Sequence, residues 1–164
     1  MKIFKYILSI FVALLVFTHS NAAEKWDMAL AYGDGNFHSA NATEFANNVT
    51  KKSKGKLTIV THPGGSLFKG GEIFRAVRTG QAPIGERFMS ALGKEDPLLE
   101  IDSLPFLATS YGDAMKLYKA SKAEIAKSLD KKGLVFLYAV PWPAQGLYSN
   151  CLLYTSPSPR DLST

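Results

Sequence analysis

The order of two short apolar runs around a helical segment constrains this chain most. Residues 25–32, KWDMALAY, alternate imperfectly and break at Gly33-Asp34-Gly35, as a strand entering a tight turn does. Ala42, Phe45, Ala46 and Val49 then recur at helical spacing, up to a lysine-rich last turn and Gly55. LTIVTH, residues 57–62, is a β-branched run that stops at Pro63-Gly64-Gly65. Strand, helix and strand of these lengths describe a βαβ unit.

The alternation continues. A second helix is predicted over about 71–79, with Ile73, Phe74 and Val77 on its apolar face and Gly80 ending it. Residues 82–89 return to strand. After Glu95-Asp96-Pro97, the segment IDSLPFL (101–107) reads as a turn-like apolar plug. A third helix is predicted over 111–130, with Ala114, Leu117, Ile125 and Leu129 on one stripe and Gly133 closing it. LVFLYAV (134–140) follows as a continuous apolar strand, the kind that suits a parallel sheet covered on both faces. The expected fold class is therefore α/β, a mostly parallel open sheet flanked by helices. Ligands of such sheets sit outside the carboxyl ends of the strands. That rule points to three loops: 33–38, 63–70 and 86–90.

The two ends read differently from the middle. Lys2 and Lys5 precede the apolar run 7–17, and Ser20, Asn21, Ala22 and Ala23 supply small residues for cleavage, so 1–23 is expected to be a secretory signal peptide. The run falls short of the roughly 20 residues that span a bilayer. At the other end, Cys151 is the chain's only cysteine, and Ser156-Pro157-Ser158-Pro159 continues neither strand nor helix. CLLYTSPSPRD can be back-translated into codons that look like the transposon-end adapter used in sequencing libraries. Residues 151–164 are thus expected to be a non-native tail, and the folded segment to lack disulfides and cysteine metal sites.

The formal charge of +5 includes Lys2 and Lys5, leaving +3 on a mixed surface. Its densest cluster, Lys51, Lys52, Lys54 and Lys56, suits the carbonyl end of a helix. No basic stripe with interleaved aromatics accompanies it, so nucleic acid is not an expected partner.

Site candidates come from the three loops. Gly33-Asp34-Gly35-Asn36 lacks the third glycine of a dinucleotide loop and carries an acid that would repel a pyrophosphate. The helix start near Asn36 can instead receive a small carboxylate. His38, in the first helical turn, either donates to a ligand or caps the helix and faces solvent. Glu86 and Arg87, at a strand exit, are either polar ligand contacts or a surface ion pair. Trp142, stiffened between Pro141 and Pro143, either lines a cleft wall or packs in the core. His38 and His62 have no third partner at metal spacing, and no G-x-S-x-G elbow or serine, histidine and acid set stands out. No cofactor, metal or catalytic residue is assigned, and the chain is read as a binding module, not an enzyme.

Three stretches together resemble the periplasmic solute-binding proteins of TRAP transporters, the DctP-type family: GGSLFKGGEIFRAVRTGQAPIGE (64–86), IDSLPFLATSYGDAMKLY (101–118) and PWPAQGLYSN (141–150). The resemblance covers 26–150. It implies a periplasmic binding protein-like fold of which 24–150 is the first portion, an incomplete first domain crossing toward a second near 141–150. It further implies a periplasmic receptor that closes on a small organic acid and delivers it to TRAP membrane permease subunits. The family's main carboxylate-clamping arginine lies in a later strand, so no residue here takes that role. The Gln145-Gly146-Leu147-Tyr148 stretch departs from the commoner family pattern, in which a basic residue follows the glycine. A chain of this extent is expected to bind no ligand with useful affinity. The rival readings are an exported α/β hydrolase or transferase and the receptor of an ATP-driven importer.

Overall fold

The structure, a computed structural model, describes residues 23–143. Three strands, β1 (Glu24–Leu30), β2 (Leu57–His62) and β3 (Ile84–Glu86), form one sheet in the order β2-β1-β3. Both pairings are parallel: β1 runs from Glu24 opposite Leu57 to Ala29 opposite His62, and meets β3 at Met28–Ile84, Ala29–Gly85 and Leu30–Glu86. The α/β expectation and its parallel sheet hold. All three strands therefore deliver their carboxyl ends to the same edge of the molecule.

Helix α1 (Phe37–Lys52) covers one face of the sheet. Met28, Leu30, Ile59 and Ile84 point up from the strands into Ala42 and Ala46 of the helix, with Trp26, Phe45, Val49 and Leu57 at the margin. Two alanines at i and i+4 let the helix axis lie close over the central strand. The other face takes α2 (Ile73–Arg78). A Cβ on Gly85 would stand 2.6 Å from Ile73 Cγ2 and 3.1 Å from Val77 Cγ2, so the bare backbone at that position is what admits the helix.

A second apolar cluster lies outside α2. Phe74 meets Leu99, Ile125 and Leu129, with Met89, Leu92, Leu98, Leu134 and Phe136 around them. Leu99 comes from a 3-10 helix, Pro97–Ser103, which Asp96 caps by accepting from the Leu98 N–H. Ile125 and Leu129 come from α3 (Tyr111–Asp130), capped by Ser110, whose hydroxyl accepts from the Asp113 N–H. Ser128 of α3 donates to the Asp96 carboxylate, tying the helix to that cap.

Three expectations are corrected. The predicted strand 82–89 is only three residues long. The Ala82 N–H is spent on the Ala76 carbonyl at the end of α2, Pro83 has no N–H, and pairing ends where Glu86 meets the last residue of β1. Met89–Leu92 is instead a 3-10 turn. The run 134–140 forms no strand: Leu134 and Phe136 pack into the second cluster, while Val135 is 81% exposed and no strand among the described residues pairs with it. The segment 101–107 is turn-like but no plug, since Leu104, Leu107 and above all Phe106, at 92%, are exposed. The predicted signal peptide, all but Ala23, lies outside the described residues, as does the tail from 151, and no helix among the described residues is long and apolar enough to cross a membrane.

Candidate functional site

At the carboxyl edge of the sheet the three loops are bound to one another. Tyr32, just past β1, offers a carbonyl that accepts from the Gly64 N–H at 2.7 Å and from the Ser39 hydroxyl at 2.7 Å. The Gly65 N–H donates back to Leu30, the last residue of β1, at 3.0 Å. Gly64 and Gly65 make this return with φ of +65° and +69°, a region costly for any residue with a Cβ. The glycines of the Pro63-Gly64-Gly65 break thus hold the second loop against the first.

Asn36 starts α1. Its side-chain oxygen accepts from the His38 N–H at 2.9 Å, and its carbonyl from the Ala40 N–H, so part of the helix pole is already satisfied internally. His38 is neither a cap nor solvent-facing. It is 5% exposed, 4.0 Å from the Phe37 ring and 4.3 Å from Trp142 between centroids. Burial there pushes the imidazole below its usual range, favouring the neutral ring.

Trp142 closes over this group. Its ring meets Tyr32 at 5.2 Å, Phe37 at 5.6 Å and Phe88 at 5.9 Å, each nearly edge to face. Side chains from β1's exit, α1's first turn, β3's exit and the segment beyond 140 are thereby gathered into one aromatic surface. Tyr32, Phe37 and Phe88 were not singled out from the sequence, although Phe37 and Phe88 lie within loops that were and Tyr32 borders one.

Glu86 and Arg87 leave β3 in succession and do not pair with each other within ion-pair distance. The Ala31 N–H faces the Glu86 carboxyl and favours its ionised form, but burial outweighs this and holds the carboxyl above its ordinary range. The Glu86 charge in turn helps burial raise the Tyr32 hydroxyl. Arg87 reaches across Ala31 toward the second loop, its Nη1 3.3 Å from where a Cβ on Gly70 would stand. Among the described residues, the buried side-chain polar atoms without a hydrogen-bond partner are His38 Nε2, Glu86 Oε2 and Arg87 Nε. All three belong to residues at or beside the carboxyl ends of the strands.

A concavity of about 370 Å³ lies along α1 and is lined by Asn41, Phe45, Asn48 and Tyr138 among others. It includes none of the strand-end residues and none of the unpartnered atoms. Among the described residues no group of three or more histidine, cysteine, aspartate or glutamate side chains is placed to hold a metal.

A family model and several known proteins match most of the described residues. The family model described as bacterial extracellular solute-binding protein, family 7, matches residues 29–146. A solute-binding protein of Albidiferax ferrireducens is 32% identical over 117 residues, which are 71% of this chain and 34% of that one. Among solved structures, a marine metagenome TRAP solute-binding protein specific for pyroglutamate, from an unidentified microbe, is 60% identical with a TM-score of 0.72, over 74% of this chain and 40% of its own. A Bordetella pertussis extracytoplasmic solute receptor binding pyroglutamic acid is 46% identical with a TM-score of 0.71, over 73% and 40%. The chain thus spans about a third of the length of the curated relative and 40% of the solved ones.

Proposed function

Because the chain belongs to the bacterial extracellular solute-binding proteins of family 7, we propose that the edge built by β1, β2 and β3 is one wall of a cleft that captures a small organic acid for a TRAP membrane permease. The observation that carries this reading is the meeting of Tyr32, Phe37, His38 and Phe88 with Trp142 at the strand ends, with Glu86 and Arg87 near enough to act on the Tyr32 hydroxyl. A wall of that kind, apolar and aromatic with a few placed polar groups, is what small-ligand sites use. Trp142, Tyr32, Phe37 and Phe88 supply the apolar surface. Asn36 holds the first turn of α1 in position, and His38, Glu86 and Arg87 supply the polar contacts.

Two relatives at 60% and 46% identity are described as pyroglutamate receptors, and that acid is the ligand we assign to this wall. The remaining length of such relatives offers a second wall, and closure of the two on the ligand couples capture to delivery. The receptor works outside the cytoplasm, reached through the predicted signal peptide. It performs no chemistry on the ligand, and relatives described as TRAP proteins favour that permease over an ATP-driven importer.

Titration of the isotopically labelled full chain with millimolar L-pyroglutamate, followed by amide and indole NMR shifts, tests this. Shifts confined to residues 32–39, 64–70 and 86–88 and to the Trp142 indole are expected. Shifts centred on the α1 concavity at Asn48 and Tyr138, or none at all, contradict it.

A further inference from the structure

We propose that the segment 134–140 is a self-association surface, pairing antiparallel with the same segment of a second copy of this chain. Its side chains alternate between two faces. Leu134 and Phe136 pack into the second apolar cluster, the Tyr138 ring lies 5.2 Å from that of Phe45, and Trp142 rests on the strand-end aromatics. Val135, Leu137 and Ala139, between them, are exposed. A period of two is that of extended backbone, so the segment has the conformation of a strand and is fixed to the molecule by every second side chain. It has no ladder, however: among the described residues the main-chain groups of 135–140 make no hydrogen bond. An extended run with apolar side chains outward and unused N–H and C=O groups is what strand addition uses.

Charge selects the occupant and its direction. Residues 133–143 carry no charged side chain, whereas Lys131 and Lys132 stand immediately before them. A charged partner strand finds nothing to complement along this run. Two copies paired parallel and in register set the lysines of one against those of the other, and like charges directly opposite are destabilising. Antiparallel pairing centred on Leu137 sends the two lysine pairs to opposite ends, where each meets Trp142 and Pro143 of the second copy. In that register Leu137 faces Leu137 and Val135 faces Ala139, so the outward rows are apolar against apolar and the same patch serves both copies. Pro141 and Pro143 have no N–H to give, so pairing stops with the segment.

Sedimentation equilibrium of the full chain from micromolar to near-millimolar concentration, in reductant so that Cys151 forms no bridge, tests this. A monomer–dimer equilibrium is expected. Leu137→Lys sets two ammonium groups opposite each other across the two-fold axis and removes an apolar pair, so the dimer weakens by about tenfold or more. Phe106→Lys removes a more exposed aromatic outside the segment and leaves the dissociation constant within about threefold. Amide NMR spectra check that both variants fold, and in the unaltered chain the amide shifts that depend on concentration are expected at 134–140. A chain monomeric throughout, whose free edge then serves some other strand, overturns the proposal. So does a dimer as tight in folded Leu137→Lys as in the parent, a dimer lost in folded Phe106→Lys, or concentration-dependent shifts that leave 134–140 untouched.

Discussion

A carboxyl held out of water at the end of a strand makes stability depend on pH in a particular direction. Burial raises Glu86 above its ordinary 4.5, so its contribution is fully present in acid, below that value, and is lost as pH rises through the raised one. Glu86→Gln removes the ionisation. We expect its stability, measured by urea unfolding at a series of pH values, to fall less than that of the parent chain as pH rises from about 4.5. A parallel decline in both proteins contradicts the assignment of that slope to Glu86. His38 works in the opposite sense: its lowered value gives stability above about 6.5 that is lost on acidification. The Glu86→Gln comparison is therefore read as a difference between proteins. Residue by residue, much of the strand-end surface was legible: Asn36, His38, Glu86, Arg87 and Trp142 all come to it. Composition could not show that His38 is buried, because its cover comes from Trp142, a hundred residues later in the chain.

At the scale of elements, Gly85 makes the clearest demand. Any side chain there meets Ile73 and Val77, so Gly85→Ala forces α2 off the sheet and is expected to cost about 1–3 kcal/mol, read from denaturant midpoints. Gly112→Ala, with only a side-chain contact at 3.6 Å near the start of α3, serves as the tolerated control. An equal effect at both positions contradicts the close-packing argument. The elements with their own local signals were readable in advance: β2 by its β-branched run, α3 by its stripe, α1 by Asn36 and the spacing of Ala42 and Ala46. Those set by tertiary partners were not. The strand at Ile84–Glu86 is short because β1 stops beside it, and 134–140 has strand-like composition without a neighbour to pair with. Apolar content marks a segment for burial but does not supply hydrogen-bond partners.

For the molecule as a whole, all-parallel pairing aims every loop of interest at one edge, and this is why a sequence of alternating strands and helices could indicate which loops come together before any side chain was placed. The three stretches that carried the family resemblance fall within or overlap the residues 29–146 that the family model matches. The solved relatives extend beyond the part this chain matches, which is 40% of their length, and among the described residues Phe106 and Val135 present exposed apolar side chains. The most direct test places residues 24–143 into the marine metagenome relative in exchange for their counterparts, and titrates L-pyroglutamate into the folded product by calorimetry. The account predicts saturable micromolar binding that Trp142→Ala weakens by about tenfold or more, since several aromatic contacts are lost at once. A folded exchange protein that takes up no heat on titration, or one indifferent to the loss of Trp142, contradicts it.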